Sequence, residues 1–222
     1  MKKLVLAGAV LAACLTTTSA NAFNNGSFTV GVVGGFTKSS GDLSNLNSDS
    51  NIGGSRFSKR YEDDDLKGLG IKAFGEYNFN DNFALGTAYD FLYLGSVKGY
   101  SSFSSGGVTV YKKTDYSLGA HVFEFYGKGQ IQLSDNFTVF AKAGPTLSFI
   151  GLSDDDDDDK VDTSSCVGFV AGVGAEYKFN NGVAIRAGYD YFNRVGKVTT
   201  DYTSKEEKIN SHLLYAGASY TF

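Results

Sequence analysis

The sequence predicts an all-β protein: an eight-stranded antiparallel up-and-down transmembrane β-barrel. Three observations carry that reading. One hairpin pattern occurs twice: residues 76–91 (Glu-Tyr-Asn-Phe-Asn-Asp-Asn-Phe-Ala-Leu-Gly-Thr-Ala-Tyr-Asp-Phe) return one hundred positions on, at 176–191, with seven of sixteen positions identical. Both copies set period-2 apolar residues on either side of an Asn/Asp/Gly turn, the chemistry of a β-hairpin. Connections between alternating runs are by turns short and long. Finally, the two faces of each run differ: Tyr77, Phe79, Phe83, Leu85, Tyr89 and Phe91 share one, and Glu76, Ala84, Gly86, Ala88 and Asp90 the other.

The chain has 222 residues, with 28 glycines, one proline, no tryptophan and 32 Tyr and Phe. That is one β domain rather than two. Beyond residue 22 no apolar run approaches the roughly 18 residues of a transmembrane helix. Residues 1–22 read as an export signal: Lys2 and Lys3, an apolar core from Leu4 to Leu15, and a small-x-small cleavage site at Ala20-Asn21-Ala22. The barrel domain is then 23–222. The alternative is lipid modification at Cys14, after Leu11-Ala12-Ala13. Removing the signal takes two lysines and no acid, so the net charge falls from −4 to −6. With no basic patch, nucleic acid is not an expected partner. Cys166 is the one cysteine left, which excludes an internal disulfide. Closing a sheet on itself is another way to hold such a chain together.

The first strand is Ser27 to Thr37, with Phe28, Val30, Val32 and Phe36 on one face. A polar run, 38–66, follows as a loop. The second strand, Lys67 to Phe79, turns at 80–82 into the third, Phe83 to Leu94. Residues 95–114 read as another long polar loop. The fourth, Tyr116 to Leu133, is untidy: Phe123, Phe125, Ile131 and Leu133 have one parity, and Tyr116, Leu118, Ala120 and Val122 the other. Either a bulge near His121 shifts the phase, or the outer half belongs to the loop. After the turn at 134–136 the fifth strand, Phe137 to Ile150, contains Pro145, which cannot donate to a ladder. An acidic loop, 151–165, precedes the sixth strand, Cys166 to Phe179. The turn at 180–182, the seventh strand Val183 to Phe192, a polar run 193–208 and the eighth strand Ile209 to Phe222 complete the chain.

Short turns at one end and long loops at the other are the pattern of a membrane-spanning barrel, and closure removes both sheet edges. The aromatic face is assigned to lipid. The opposite face is rich in glycine (Gly68, Gly70, Gly86, Gly144, Gly172, Gly174, Gly188), which suits the narrow bore of eight strands. The aromatics gather in two belts: Tyr77, Phe79, Phe83, Phe137, Tyr177, Phe179 and Tyr220 by the short turns, and Phe36, Tyr89, Phe91, Phe149, Tyr189 and Tyr191 by the long loops. Amphipathic rings favour the two interfaces of a bilayer.

With these strands, belts and the ending Leu-Leu-Tyr-Ala-Gly-Ala-Ser-Tyr-Thr-Phe, the chain resembles the small eight-stranded outer-membrane β-barrels of Gram-negative bacteria. That group holds the OmpA transmembrane domain, OmpX and the opacity proteins. The resemblance covers nearly all of 23–222. It implies a multi-pass protein of the cell outer membrane, with outer-membrane lipid and lipopolysaccharide around it. It also implies that Tyr220 and Phe222 carry the signal read by the barrel-insertion machinery. Nothing follows Phe222, so no peptidoglycan-binding domain is implied.

Outward aromatics turn Lys72, Glu76, Asp90, Glu124, Lys128, Lys142, Glu176, Arg186 and Asp190 inward, five acids and four bases. Turn lengths set Lys72 opposite Asp90 and Glu176 opposite Arg186. The expectation is a polar plug; the alternative is a charge-lined channel. No cofactor and no catalytic group is expected. Ser211-His212 has the wrong order for the His-x-Ser pair of an outer-membrane lipid A deacylase, and Phe123 follows His121-Val122. The run Asp154, Asp155, Asp156, Asp157, Asp158 and Asp159 is a weak metal candidate, since carboxylates are hard oxygen ligands. It lacks the spacing of a calcium loop and reads as a solvated tip. The expected role is that of a monomer working through four surface loops, by adhesion to a host-cell ligand or in envelope integrity. The alternative is a narrow, low-conductance porin-like channel for small solutes.

Overall fold

The structure is a computed structural model that describes residues 26–41, 48–52, 55–62, 66–154, 164–199 and 206–222. The segment read as an export signal, with Ala20 and Ala22, lies outside the described residues. Ten strands run in chain order: β1 Ser27–Ser40, β2 Ser48–Ile52, β3 Ser55–Glu62, β4 Leu66–Asn78, β5 Phe83–Ser105, β6 Val108–Gln132, β7 Phe137–Asp154, β8 Ser164–Lys178, β9 Val183–Thr199 and β10 Glu206–Thr221. Eight of them close a barrel in the order β1, β4, β5, β6, β7, β8, β9, β10, each antiparallel to its neighbours, with β10 returning to β1. The closing ladder is long, from Thr29 opposite Thr221 to Ser40 opposite Asn210.

Side-chain alternation gives the wall its two faces. Outward go Phe36, Leu69, Phe83, Leu85, Ile131 and Leu214, each between 57% and 70% exposed. An apolar surface of this extent marks a face that meets lipid or another apolar surface rather than water, and a band around the wall of a closed barrel is the lipid-facing arrangement. The aromatics pair edge-on at the short-turn end, Tyr77 with Phe79, Tyr177 with Phe179 and Tyr220 with Phe222. Tight turns there are held by side-chain caps: Asn80 Oδ1 accepts from the backbone of Asn82 and Phe83, both at 2.9 Å.

Four loop assignments are corrected; the shortest correction is at the acidic run 151–165, where β7 continues to Asp154 and β8 begins at Ser164. The run 95–114 is not a loop. β5 and β6 stay paired from Phe83 opposite Gly129 to Ser105 opposite Val108. The reversal falls at Gly106 and Gly107, whose φ angles of 58° and 83° suit the two central positions of a tight hairpin turn. Nor is 38–66 a loop throughout, since β2 and β3 form a hairpin and β3 pairs along the β5 extension. In the same way β9 and β10 extend into the run 193–208, as far as Thr199 opposite Glu206.

The untidy fourth strand also resolves. It is the lower part of β6, and no bulge lies at His121. Buried residues keep one parity from Leu118 through Val122 and Glu124 to Lys128. What changes is the bore, which is polar below and apolar above, so inward residues change character without changing side. The irregularity lies on the partner strand, between Tyr93 and Gly95, where Gly95 has a φ of 118°. At Pro145 the β6–β7 ladder is interrupted between Glu124 opposite Thr146 and Gly127 opposite Ala143, while β7–β8 pairing runs through. The missing N–H is the physical reason.

Candidate functional site

The bore is filled in layers. Nearest the short turns, β4 supplies Glu76, β6 Lys128, β8 Glu176 and β9 Arg186. The Arg186 guanidinium spans the bore: Nη1 and Nη2 each donate at 2.8 Å to the two oxygens of Glu76. Its Nε donates at 2.8 Å to Glu176 Oε2. Lys128 Nζ reaches Glu76 Oε2 at 2.5 Å, and Tyr126 Oη donates to Glu76 Oε1 at 3.0 Å. A fork donor facing a carboxylate is the strong, directional form of ion pair.

One layer further in, two ammonium groups serve three carboxylates. Lys72 Nζ contacts Glu124 at 2.5 Å, Asp90 at 3.2 Å and Asp190. Lys142 Nζ contacts Glu124 at 2.6 Å and Asp190 at 2.9 Å. All nine charged residues are buried, none more than 6% exposed. In register, Lys72 stands opposite Asp90 and Glu176 opposite Arg186.

Four inward aromatic rings, Phe74, Tyr126, Phe140 and Tyr215, line this part of the bore; alternation along its strand puts Phe74 on the same face as Lys72 and Glu76, and the other three were not anticipated from the sequence. Each stands directly opposite a glycine on the next strand, Gly31, Gly86, Gly174 and Gly188 in turn. A Cβ at Gly86 would lie 2.5 Å from the Tyr126 ring, and one at Gly174 would lie 2.4 Å from that of Phe140. The glycines are the room into which the rings fold. The rings then cover the charges: Arg186 Cζ sits 4.1 Å from the Phe74 centroid, and Lys142 Nζ sits 4.5 Å from that of Tyr126. Cation–π contacts strengthen when desolvated. The signal lay in parity, for Phe74 falls between Lys72 and Glu76, and Tyr126 between Glu124 and Lys128.

Toward the long-connection end an apolar cap closes the bore, with Leu92, Leu94, Ile209 and Leu213 fully buried beside Ile150 and Phe192. At the other mouth lies a polar hollow of ≈ 90 Å³ lined by Asn78, Gln130, Thr138 and Lys178 among others. The two histidines are on the outer wall. His121 Nδ1 lies 2.7 Å from Tyr89 Oη, and His212 Nδ1 lies 2.5 Å from Tyr189 Oη. Asp154 ends β7, and Asp155 to Asp159 fall outside the described residues. Among the described residues no group of three or more His, Cys, Asp or Glu is arranged to hold a metal ion.

Neisserial surface protein A has the same fold at 17% identity, with a TM-score of 0.57 over 90% of this chain and 100% of that one. OprG of Pseudomonas aeruginosa matches at 11% identity over 89% and 96% (TM-score 0.47). The attachment invasion locus protein Ail of Yersinia pestis matches at 12% over 89% and 97% (TM-score 0.44). No curated protein matches the sequence. The family described as outer membrane protein beta-barrel domain matches residues 10–222, and the chain therefore belongs to that family of outer-membrane β-barrel proteins.

Proposed function

We propose that the protein is a sealed, monomeric outer-membrane anchor that presents a β-ribbon to partners outside the cell, in adhesion or in envelope integrity. The observation that carries this reading is the height of the β5–β6 hairpin. Among the described residues the β6–β7 ladder runs as far as Tyr116 opposite Asp154, and the β5–β6 ladder continues to Ser105 opposite Val108. Eight residues of β6, 108–115, extend beyond the last described β6–β7 pair, roughly 27 Å at about 3.4 Å per residue. β3 and β2 widen the ribbon to four strands. Val110, Tyr111, which is 80% exposed, and Lys112 follow one another there and give it apolar and basic contact groups.

The ionic layers and the apolar cap support a closed bore rather than a pore. Replacing residues 98–115 by a tight Asn-Gly turn, which joins the paired residues Val97 and Tyr116, should leave the barrel folded and heat-modifiable on gels. Expressing cells should then lose binding to host surfaces, or lose envelope integrity in detergent challenge. Retention of both properties by the shortened protein would refute the ribbon. Conductance of the intact protein in a planar bilayer should stay at background, and steps of defined size would favour the channel.

A further inference from the structure

The two ionic layers of the bore differ in their charge balance. Nearest the short turns, Glu76 and Glu176 face Lys128 and Arg186, and the charges cancel. In the layer further in, Asp90, Glu124 and Asp190 face Lys72 and Lys142, so one negative charge is in excess. That layer is closed to solvent. Its three carboxyls are fully buried, and the rings of Phe192 and Tyr215 stand 5.3 and 5.4 Å from Lys72 Nζ. Tyr215 brings a phenol there and no charge.

The excess falls on Asp90. Neither of its oxygens accepts a hydrogen bond from a donor among the described residues. Lys72 Nζ stands 3.2 Å from Oδ1 but directs its hydrogen bonds to Glu124 and Asp190. Glu124 is served by both ammonium groups, at 2.5 and 2.6 Å. Asp190 differs from Asp90 too: its Oδ2 meets both ammonium groups, and its Oδ1 is seated on Gly172, where a Cβ would come within 2.0 Å. Asp90 and Glu124 are diagonal neighbours on β5 and β6, since Ala88 stands opposite Glu124 and Asp90 opposite Val122. Their carboxyls are within hydrogen-bonding reach of each other. Two ionised carboxyls so placed repel, and a buried one without a donor is costly. A proton on Asp90 removes both penalties: it cancels the excess charge and supplies Glu124 with an O–H donor.

We propose that Asp90 and Glu124 form a proton-binding site, in which Asp90 is a carboxylic acid that donates a hydrogen bond to Glu124. The bore as a whole is then neutral, with Glu76, Glu124, Glu176 and Asp190 ionised against Lys72, Lys128, Lys142 and Arg186. A neutral bore offers a permeating ion no counter-charge. The inference rests on the ionic layer alone and stands apart from the role of the ribbon.

The test uses the full barrel refolded into lipid vesicles at neutral pH, in H2O or in D2O, and read by infrared spectroscopy. The parent should show the C=O stretch of a protonated carboxyl, shifted down in D2O. Asp90→Asn should abolish that band, and Asp135→Asn, in an exposed turn, should keep it. Urea unfolding supplies a second readout. Asparagine is uncharged and retains an N–H donor for Glu124, so Asp90→Asn should unfold at the parent's urea midpoint. Glu124→Gln removes the carboxylate that both ammonium groups share and should lower the midpoint. Neutralisation by a bound metal ion instead would leave the parent without the band. Absence of the band from the parent, its survival in Asp90→Asn, or a midpoint that falls in Asp90→Asn as far as in Glu124→Gln would each overturn the assignment. Failure of Asp90→Asn to fold would count the same way.

Discussion

Arg186 and Glu76 lie 110 positions apart in the chain and meet across the bore, both guanidinium Nη atoms 2.8 Å from the two carboxylate oxygens. They come from β9 and β4, which are separated along the wall by β10 and β1. The contact therefore ties together parts of the sheet that no hydrogen-bond ladder joins. It also fixes how far the barrel can flatten, since the fork tolerates little change in distance or angle.

Arg186→Ala should destabilise the barrel in vesicles by about 3–5 kcal/mol, because Glu76 and Glu176 would be left buried facing each other. Glu76→Ala alone should be costly too, taking the carboxylate from Lys128 and leaving Arg186 with Glu176 alone. The double variant should lose clearly less than the sum of the singles. Urea unfolding of all four proteins measures this, and strict additivity would mean that the pair is not coupled.

The seat of Tyr126 is a second point of strain. Gly86→Ala would place a methyl 2.5 Å from that ring, which is itself bonded to Glu76. Overpacking of this kind costs about 1–3 kcal/mol. Adding Tyr126→Ala should recover part of the loss, despite removing a hydrogen bond. The same unfolding transitions decide it.

How much of this was legible in the sequence follows from what alternation carries and what it does not. Parity separates Phe83 from Ala84 and Tyr89 from Asp90 without any structure, and turn length fixes register across one hairpin. That reaches neighbours such as Lys72 and Asp90. It does not reach Arg186 and Glu76, whose meeting depends on closure and on the girth of the barrel. The fit of Phe74 over Gly31 was hidden for the same reason, since β1 and β4 are joined through a long segment and their register is not set by a turn. The apolar cap misled by its composition. Leu118, Ala120 and Val122 look like a lipid-facing set, and only the filled bore explains why they point in. Gly106-Gly107 was a readable signal, a two-residue hairpin turn flanked by Phe103 and Val110, masked by the serines around it.

Deleting Phe222 separates recognition from stability. Its N–H donates to Phe28 O at 2.8 Å, and its ring packs edge-on to Tyr220 with centroids 4.7 Å apart. Losing that bond removes about 1 kcal/mol, and losing the ring pair another ~1 kcal/mol. A barrel refolded in vitro should therefore remain folded without it. In cells, the outer-membrane fraction should fall severalfold, with unfolded chain in the periplasm, if the terminal aromatic is read during insertion. An outer-membrane level matching the parent would leave Phe222 with a packing role alone.

The direction of the barrel gives the last prediction. Eight barrel strands bring the start of β1 and the end of β10 to the same end, where Phe222 meets Phe28. The short turns after β4, β6 and β8 share that end, while the β5–β6 tip lies at the other. Gly106 and Gly107 sit at the tip, and a Cβ added to either would have no heavy atom within 4 Å beyond its own chain neighbours. An epitope inserted between them therefore has room, and the ladder below it, from Ser105 opposite Val108 downward, need not shift. If the long-connection end faces the outside, antibody should label intact cells carrying this insertion. The same epitope inserted at the turn 134–136 should be labelled only after the outer membrane is broken. Equal labelling of both before permeabilisation would show a leaky envelope, and the reverse pattern would turn the barrel over in the membrane.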